Sequence, residues 1–354
     1  MVCLIGNYAP AGGHGPGSTF APASMKVLVI RFSSIGDILL TSPLLRCLKQ
    51  QLPGAEVHFL TKESFHDLVE HSPYVDRVHV LKDDLGEVVR TLKRDRFDQV
   101  IDLHHNARTL RVKLALGRPS RSFAKLNFKK WLLVNFKRDR LPRIHIVDRY
   151  TATVEHLGVK NDGKGLDLFI PQDREVDLTT LPAAHRNGYT ALCIGAGHFT
   201  KRLPRHKLIE LAGKLHGPLV IIGGPDDRAT GRAICDAVGA RAFDATGRYD
   251  LMGSSSLIKQ AASVIAHDSG AMHVASAFRK KLVSVWGNTV PAFGMGPYMP
   301  EHPERAYISE VQGLDCRPCS KIGFDQCPRG HFRCMEKQDL DGISAWGTGQ
   351  AGTP

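Results

Sequence analysis

Short apolar runs and amphipathic stretches alternate along most of this chain. Residues 26–30, Lys26-Val27-Leu28-Val29-Ile30, form a β-branched run of the kind found in buried parallel strands. A polar turn over 31–37 follows, and then a helical pattern over 38–51 that Pro53-Gly54 stops. The pattern goes on to predict strands over 56–60, 77–81 and 99–103, with helices through Phe65, Leu68 and Val69 and over 85–94. After a stretch at 171–186 that reads as a linker, the rhythm restarts. It predicts strands over 189–194, 218–222, 264–266 and 282–286, and helices over 204–215, 227–238, 257–262 and 270–278. Strands alternating with helices predict doubly wound parallel sheets. The expected organisation is two tandem α/β domains, 25–175 and 186–338, facing each other across a cleft.

Composition narrows this picture. The 354 residues are 42% hydrophobic and 23% charged, which is ordinary for globular domains. No apolar run reaches the ~18 residues of a membrane span. Residues 1–24 are rich in Gly, Pro, Ala and Ser and hold no charged side chain, and glycines and Pro16 interrupt any apolar stretch. They read as a disordered extension rather than a secretory signal, with Met25 as a candidate start, and the expected location is cytoplasmic. Residues 339–354 show little pattern and are expected to form a loose tail. The 47 Lys and Arg against 35 Asp and Glu leave a net charge of +12, which favours an anionic partner without choosing among nucleic acid, phosphorylated substrate and acidic membrane.

Ligands of open α/β sheets bind outside the carboxyl ends of strands. The first strand ends in Arg31-Phe32-Ser33-Ser34-Ile35-Gly36-Asp37, so this turn faces the expected cleft. It matches neither the phosphate-loop pattern nor the dinucleotide fingerprint, which weakens the NTPase and dehydrogenase readings. Asp37 fits a helix-capping carboxylate as well as a chemical role. In the second half, Gly195-Ala196-Gly197 allows close backbone approach, and Lys201 and Arg202 stand just ahead of a helix whose amino end favours anions such as a pyrophosphate. The same turn also reads as a solvated basic loop. His267-Asp268-Ser269-Gly270 opens a further helix, where Asp268, Ser269 and free backbone N–H groups can bind hydroxyls and phosphates together. His273 lies one turn in, on the face pointing back to the helix start, and Trp286-Gly287-Asn288-Thr289 closes the next strand beside it.

Together these motifs resemble glycosyltransferase family 9, the bacterial lipopolysaccharide heptosyltransferases. The resemblance rests on residues 29–43 (VIRFSSIGDILLTSP), 101–117 (IDLHHNARTLRVKLALG), 195–204, 223–227, 267–278 and 286–298 (WGNTVPAFGMGPY), in order, and spans about residues 25 to 335. It implies two Rossmann-like domains in the GT-B arrangement. The carboxyl-terminal domain is then expected to bind ADP-heptose, and the amino-terminal domain the lipid A–Kdo or growing-core acceptor. It shifts Asp37 from cap to catalytic base, taking the proton of the attacking hydroxyl so that the anomeric carbon inverts. Lys201 matches the lysine that neutralises the donor phosphates, and Asp268, Ser269, Gly270 and His273 match the donor motif, with Ser269 in place of the commoner Thr. Gly197 lies in the matching donor turn, and Asp226 or Asp227 matches an acidic position near the ribose or adenine. No catalytic cofactor is expected, and the Asp-x-Asp metal motif of other glycosyltransferases is missing.

Two further features admit several readings. Residues 108–149 carry thirteen Lys and Arg against Asp139 and Asp148 alone, with Lys125, Lys129 and Lys130 interleaved with Phe128 and Trp131. A solvated face and a nucleic-acid surface both fit. Given the resemblance, a phosphorylated lipid-linked oligosaccharide acceptor at the inner face of the inner membrane is preferred, with no nucleic acid expected, and Arg31, Arg108 and Arg111 are the candidate acceptor contacts. Cys316, Cys319, Cys327 and Cys334 form a cluster in which structural zinc competes with free or redox-sensitive thiols and a disulfide. The rival functions are transfer from another sugar nucleotide, a zinc-braced module that binds nucleic acid, and an inactive transferase-like binder. The joint presence of Asp37, Lys201, Asp268 and His273 argues against the last.

Overall fold

The computed structural model describes residues 25–348. It contains two sheets in which every strand pairing is parallel. The first sheet holds β1 (Lys26–Ile30), β2 (Glu56–Lys62), β3 (Arg77–Leu81), β4 (Gln99–Asp102) and β5 (Ser120–Ser122), in the order β3-β2-β1-β4-β5. The second holds β6 (Thr190–Cys193), β7 (Leu219–Ile222), β8 (Ala242–Asp244), β9 (Ser263–His267), β10 (Lys281–Trp286) and β11 (Ala306–Glu310), in the order β11-β10-β9-β6-β7-β8. The helices before the second sheet are α1 (Ile35–Leu39), α2 (Ser42–Gln51), α3 (Asp67–Glu70), α4 (Leu85–Arg94), α5 (Ala107–Leu116), α6 (Asn127–Phe136) and α7 (Ile146–Thr151). Those that follow are α8 (Arg205–Lys214), α9 (Arg228–Val238), α10 (Leu251–Gln260), α11 (Gly270–Ala277), α12 (Arg333–Glu336) and α13 (Leu340–Thr348). Among the described residues no helix is long and apolar enough to cross a membrane.

Central strands of a parallel sheet are covered on both faces, and the sequence of β1 supplies what that requires: Val27, Leu28, Val29 and Ile30 are all fully buried. Strand order reverses at β1 in the first sheet and at β6 in the second. The crevices at these switch points are where such sheets bind ligands. One apolar cluster runs from Val27, Leu44 and Phe59 of the first half to Val264 and Met272 of the second, so the two sheets share a core.

Several local expectations are corrected. The helix expected over 38–51 begins earlier, at Ile35, and breaks between Leu39 and Ser42. Pro43 has no N–H to continue the ladder, while the Thr41 and Ser42 hydroxyls donate to the carbonyls of Ile38 and Leu39 at 2.7 Å each. Asp37 therefore lies inside the first turn of α1. Helix α10 starts six residues before the expected 257, because Asp250 caps it by accepting the Gly253 N–H at 2.8 Å. The stretch at 171–186 is held to both halves: Arg174 bridges Asp67 and Asp250, and the Val176 N–H donates to Ser256 Oγ at 2.9 Å. Residues 340–348 are no loose tail. They form α13, with Ile343 buried and Trp346 stacked on Tyr307 at 6.0 Å. The expected extension over 1–24, and residues 349–354, lie outside the described residues.

Candidate active site

The acceptor-side turn is built by the end of β1. Arg31 is buried, donating through its guanidinium to the backbone carbonyls of Ser33 (2.7 Å) and Leu103 and pairing with Asp37 Oδ1 at 2.7 Å. The other carboxylate oxygen of Asp37 accepts the Ser34 hydroxyl at 2.9 Å and the Ser34 N–H at 3.3 Å. Asp37 is thus the reciprocal partner of the helix cap. Burial pushes its pKa up, but the Arg31 charge and the Ser34 bonds outweigh that and hold it below the usual carboxylate range. It stays ionised at neutral pH. Arg31, expected to touch the acceptor, acts first on Asp37.

The donor-side turns converge at the ends of β6, β7 and β9. Lys201 Nζ pairs with Asp268 Oδ2 at 2.7 Å, and the Thr289 hydroxyl donates to the same oxygen at 2.7 Å. Arg202 pairs instead with Asp227 at 3.2 Å, and Asp227 accepts the Gly224 N–H at 2.9 Å, so this buried aspartate holds the turn together. Asp226 is exposed and lines a cavity of ≈ 590 Å³, which Asp227 and Asp250 line as well. Gly197, Tyr249, Ser254, Ser269 and Gly270 line the same cavity, whose size suits a nucleotide.

The two sets meet through α1 and α11. A Cβ on Gly36 would stand 2.3 Å from the His273 ring, and one on Gly270 would stand 2.8 Å from the Ile35 side chain. Only glycine at both positions lets the helices come this close. His273 is consequently buried between Asp268 and Asp37, and burial pulls its pKa down to about 4, so the ring is neutral. Its Nδ1 has no hydrogen-bond partner, and neither do Ser269 Oγ, the Asn288 amide, Tyr150 Oη, His104 Nδ1 or Arg149 Nε. Buried polar atoms are normally satisfied, so this concentration of unpartnered groups marks a site shaped for a polar ligand.

Sequence reasoning missed part of the cationic wall. Lys125 and Lys130 are each within electrostatic reach of Asp37, with Lys321 near both and Arg149 near Lys130, and burial beside Arg149 brings the Lys130 pKa down to about 8. Lys125 and Lys130 were legible only as members of a basic run, and nothing in the pattern ties Lys321 to either. Arg108 and Arg111 lie exposed on α5, without an ion pair among the described residues. Zinc at the cysteines is not shown. A tetrahedral site with Zn–S of about 2.3 Å needs sulfurs about 3.8 Å apart, and no three of the four sulfurs here lie within 4.8 Å of one another. Burial pushes the Cys319 and Cys334 thiols up to about 11 and about 12. Their loop is secured by other means: Arg317 bonds the Thr289 carbonyl at 2.8 Å and Glu310 at 2.6 Å, and Phe324 exchanges hydrogen bonds with Thr200, next to Lys201.

Comparison with known proteins now decides the family. The model for glycosyltransferase family 9 (heptosyltransferase) matches residues 85–321, about two thirds of the chain. The chain belongs to glycosyltransferase family 9. Lipopolysaccharide heptosyltransferase 2 of Salmonella typhimurium is 25% identical over 296 residues, covering 76% of this chain and 84% of the relative. The family 9 glycosyl transferase of Veillonella parvula superimposes with a TM-score of 0.68 at 24% identity, over 80% of this chain and 85% of that one. The E. coli ADP-heptose lps heptosyltransferase II does so with a TM-score of 0.64 at 20% identity, over 88% of this chain and 98% of that one. The parallel α/β fold is therefore that of solved family 9 structures, and the chain is a glycosyltransferase. The matched span begins after Asp37, so the role of Asp37 rests on where the fold puts it.

Proposed function

We propose that this family 9 enzyme transfers heptose from ADP-heptose to a lipid-linked inner-core acceptor, Kdo-lipid A or a growing core, at the cytoplasmic face of the inner membrane. The observation that carries this is the α1–α11 crossing, which sets the ionised Asp37 beside His273 and the Lys201–Asp268 pair, next to a nucleotide-sized cavity. In this reading the sheet holding β1 serves the acceptor and the sheet holding β6 serves the donor.

The chemistry then follows from the residues. An acceptor hydroxyl oxygen attacks the anomeric carbon, the bond from that carbon to the diphosphate oxygen breaks, and ADP leaves with the electron pair. Asp37 takes the hydroxyl proton. Paired with Arg31 it is a weak base, so it accepts the proton late, once the attacking oxygen has become acidic. Lys201 and the amino end of α11 stabilise the charge growing on the departing diphosphate. Arg31, Lys125, Lys130, Arg149 and Lys321 supply the potential that suits an anionic acceptor. Support for the donor and acceptor classes comes from the lipopolysaccharide heptosyltransferases among the relatives.

The test is a thermal-shift panel with ADP, UDP, GDP, CMP and a short DNA duplex. A ligand confined to the folded state raises stability by ~2.7 kcal/mol at 100 times its dissociation constant. ADP is expected to raise the melting temperature, and turnover of ADP-heptose then follows. A shift with UDP or GDP but not ADP changes the donor, and a shift with DNA alone ends the transferase reading for this site.

A further inference from the structure

Helix α6 leaves most of its surface in water, although its sequence is strongly apolar. Of its residues only Leu133 is buried, whereas Phe128, Trp131 and Phe136 are 69%, 48% and 57% exposed. The three rings form one patch: Phe128 and Trp131 stack at 6.0 Å with an interplanar angle of 19°, and Phe136 meets Trp131 at 5.1 Å. Contiguous aromatic surface facing water marks an interaction site. The segment around it is basic, with exposed Lys129, Lys137, Arg138, Arg140 and Arg143; Asp139 is taken up by Arg143 at 2.7 Å, and Glu310 and Asp315 line the cavity beside Lys137.

We propose that this face of α6 docks the protein on an anionic lipid surface, with the rings entering the interfacial layer and the bases meeting the headgroups. Aromatic rings lying in the interface, beside lysine and arginine reaching anionic headgroups, are the equipment such a surface needs. The stacking speaks against nucleic acid, because the π-face that a base would occupy is already covered where Phe128 and Trp131 lie on each other. The position of α6 gives the docking a purpose, on the reading above that the acceptor is lipid-linked. Lys130, from the same helix, lies 5.6 Å from the Phe293 ring and acts on the Asp37 region, and Lys137 Nζ donates to the Pro318 carbonyl at 2.8 Å. Docking through α6 therefore presents the mouth of the cleft to the membrane, where a glycolipid headgroup can reach Asp37.

The tryptophans provide the readout. Trp286 and Trp346 are buried and Trp131 is exposed, so a change in emission on adding vesicles reports Trp131. The full chain is mixed with phosphatidylcholine vesicles with and without phosphatidylglycerol. Co-sedimentation with the anionic vesicles, a blue shift of emission and quenching by lipids brominated on the acyl chain are expected. Phe128→Ser with Phe136→Ser keeps the reporter and is expected to weaken vesicle binding by about tenfold or more. Trp131→Phe is expected to abolish the blue shift and keep sedimentation. An unchanged ADP thermal shift in each variant shows that the protein still folds. Wild-type-like sedimentation of the double variant, no vesicle binding by the wild type, or an emission change with DNA but not vesicles overturns the docking face. The two readings fail separately. ADP binding without vesicle binding leaves the transferase and removes the docking face, and the reverse result does the opposite.

Discussion

A carboxylate fastened to an arginine is an unpromising base until its timing is considered. The Arg31–Asp37 pair and the Ser34 bonds hold the Asp37 pKa low, so the group is fully ionised before substrate arrives and gains basicity relative to its target only as the acceptor hydroxyl acidifies. Asp37→Asn preserves the side-chain shape, including an oxygen able to accept from Ser34, and removes the ability to take a proton together with the charge paired with Arg31. Turnover is expected to fall by about 100-fold or more while ADP affinity stays within about twofold. Retained turnover in that variant would exclude Asp37 as the base. In the wild type, the acid limb of the pH–rate profile from Asp37 should lie below the ordinary carboxylate range of about 3.9. At this scale the sequence was informative wherever a motif stood at the end of a strand, because strand ends at a switch point leave few places for a side chain to go. Asp37, Lys201, Asp268 and His273 were readable for that reason. Lys321 was not, since only the folding of the cysteine-bearing loop brings its charge near Lys125 and Lys130.

At the scale of elements, the decisive packing is α1 against α11. A glycine inside a helix ordinarily costs up to ~1 kcal/mol relative to alanine, so Gly36 is there for proximity. Gly36→Ala gains helix propensity and drives a methyl group into the His273 ring, which packing prevents from moving aside. The expected net loss is ~1–3 kcal/mol of stability, together with a fall in kcat larger than any loss of ADP affinity, because α1 carries the proposed base and the cavity proposed for the nucleotide lies mainly on the other sheet. Gly213→Ala in α8 is the matched control, since nothing lies within 4 Å of the added methyl group. It should leave kcat unchanged and stability equal or slightly higher. Equal behaviour of the two variants would remove the crossing from the mechanism. The same elements show what a hydrophobic pattern can and cannot reveal. Strands buried on both faces, such as β1 and β7, announced themselves. The short edge strand Ser120-Arg121-Ser122 has no apolar residue to give it away, and α6 keeps its apolar residues outside, so no core-facing stripe exists to be read. The serines of Leu251–Gln260 hid half of α10, because two of them, Ser255 and Ser256, are buried as polar residues within the helix face.

Across the whole molecule, several histidines lie without access to water. His79, His267 and His273 are each buried, and burial pulls each pKa down to about 4. That His273 is pressed against α1 was not legible from either half alone, since Gly36 and His273 are more than 230 positions apart. The consequence is a stability that depends on acid. An unfolded histidine takes up its proton near pH 6.5, whereas these three do so in the folded chain only near pH 4. Between those values the unfolded state binds more protons, so stability falls as the pH is lowered from about 6.5, and the loss is complete below about 4. The shift corresponds to at most on the order of 3 kcal/mol for each ring, a large fraction of the ~5–15 kcal/mol that holds a domain folded. Asp37 acts at lower pH, because its depressed pKa removes stability only below the ordinary carboxylate value. Urea unfolding at pH 7.5, 6 and 5 should therefore show a midpoint that drops steadily, and His273→Asn should flatten that slope by about one fifth, since His104 and His145 are brought down to about 4 as well, while lowering the midpoint at pH 7.5. A midpoint constant from pH 7.5 to 5 would mean that these rings are hydrated, and with them the cleft that is held here to be closed by α1 and α11.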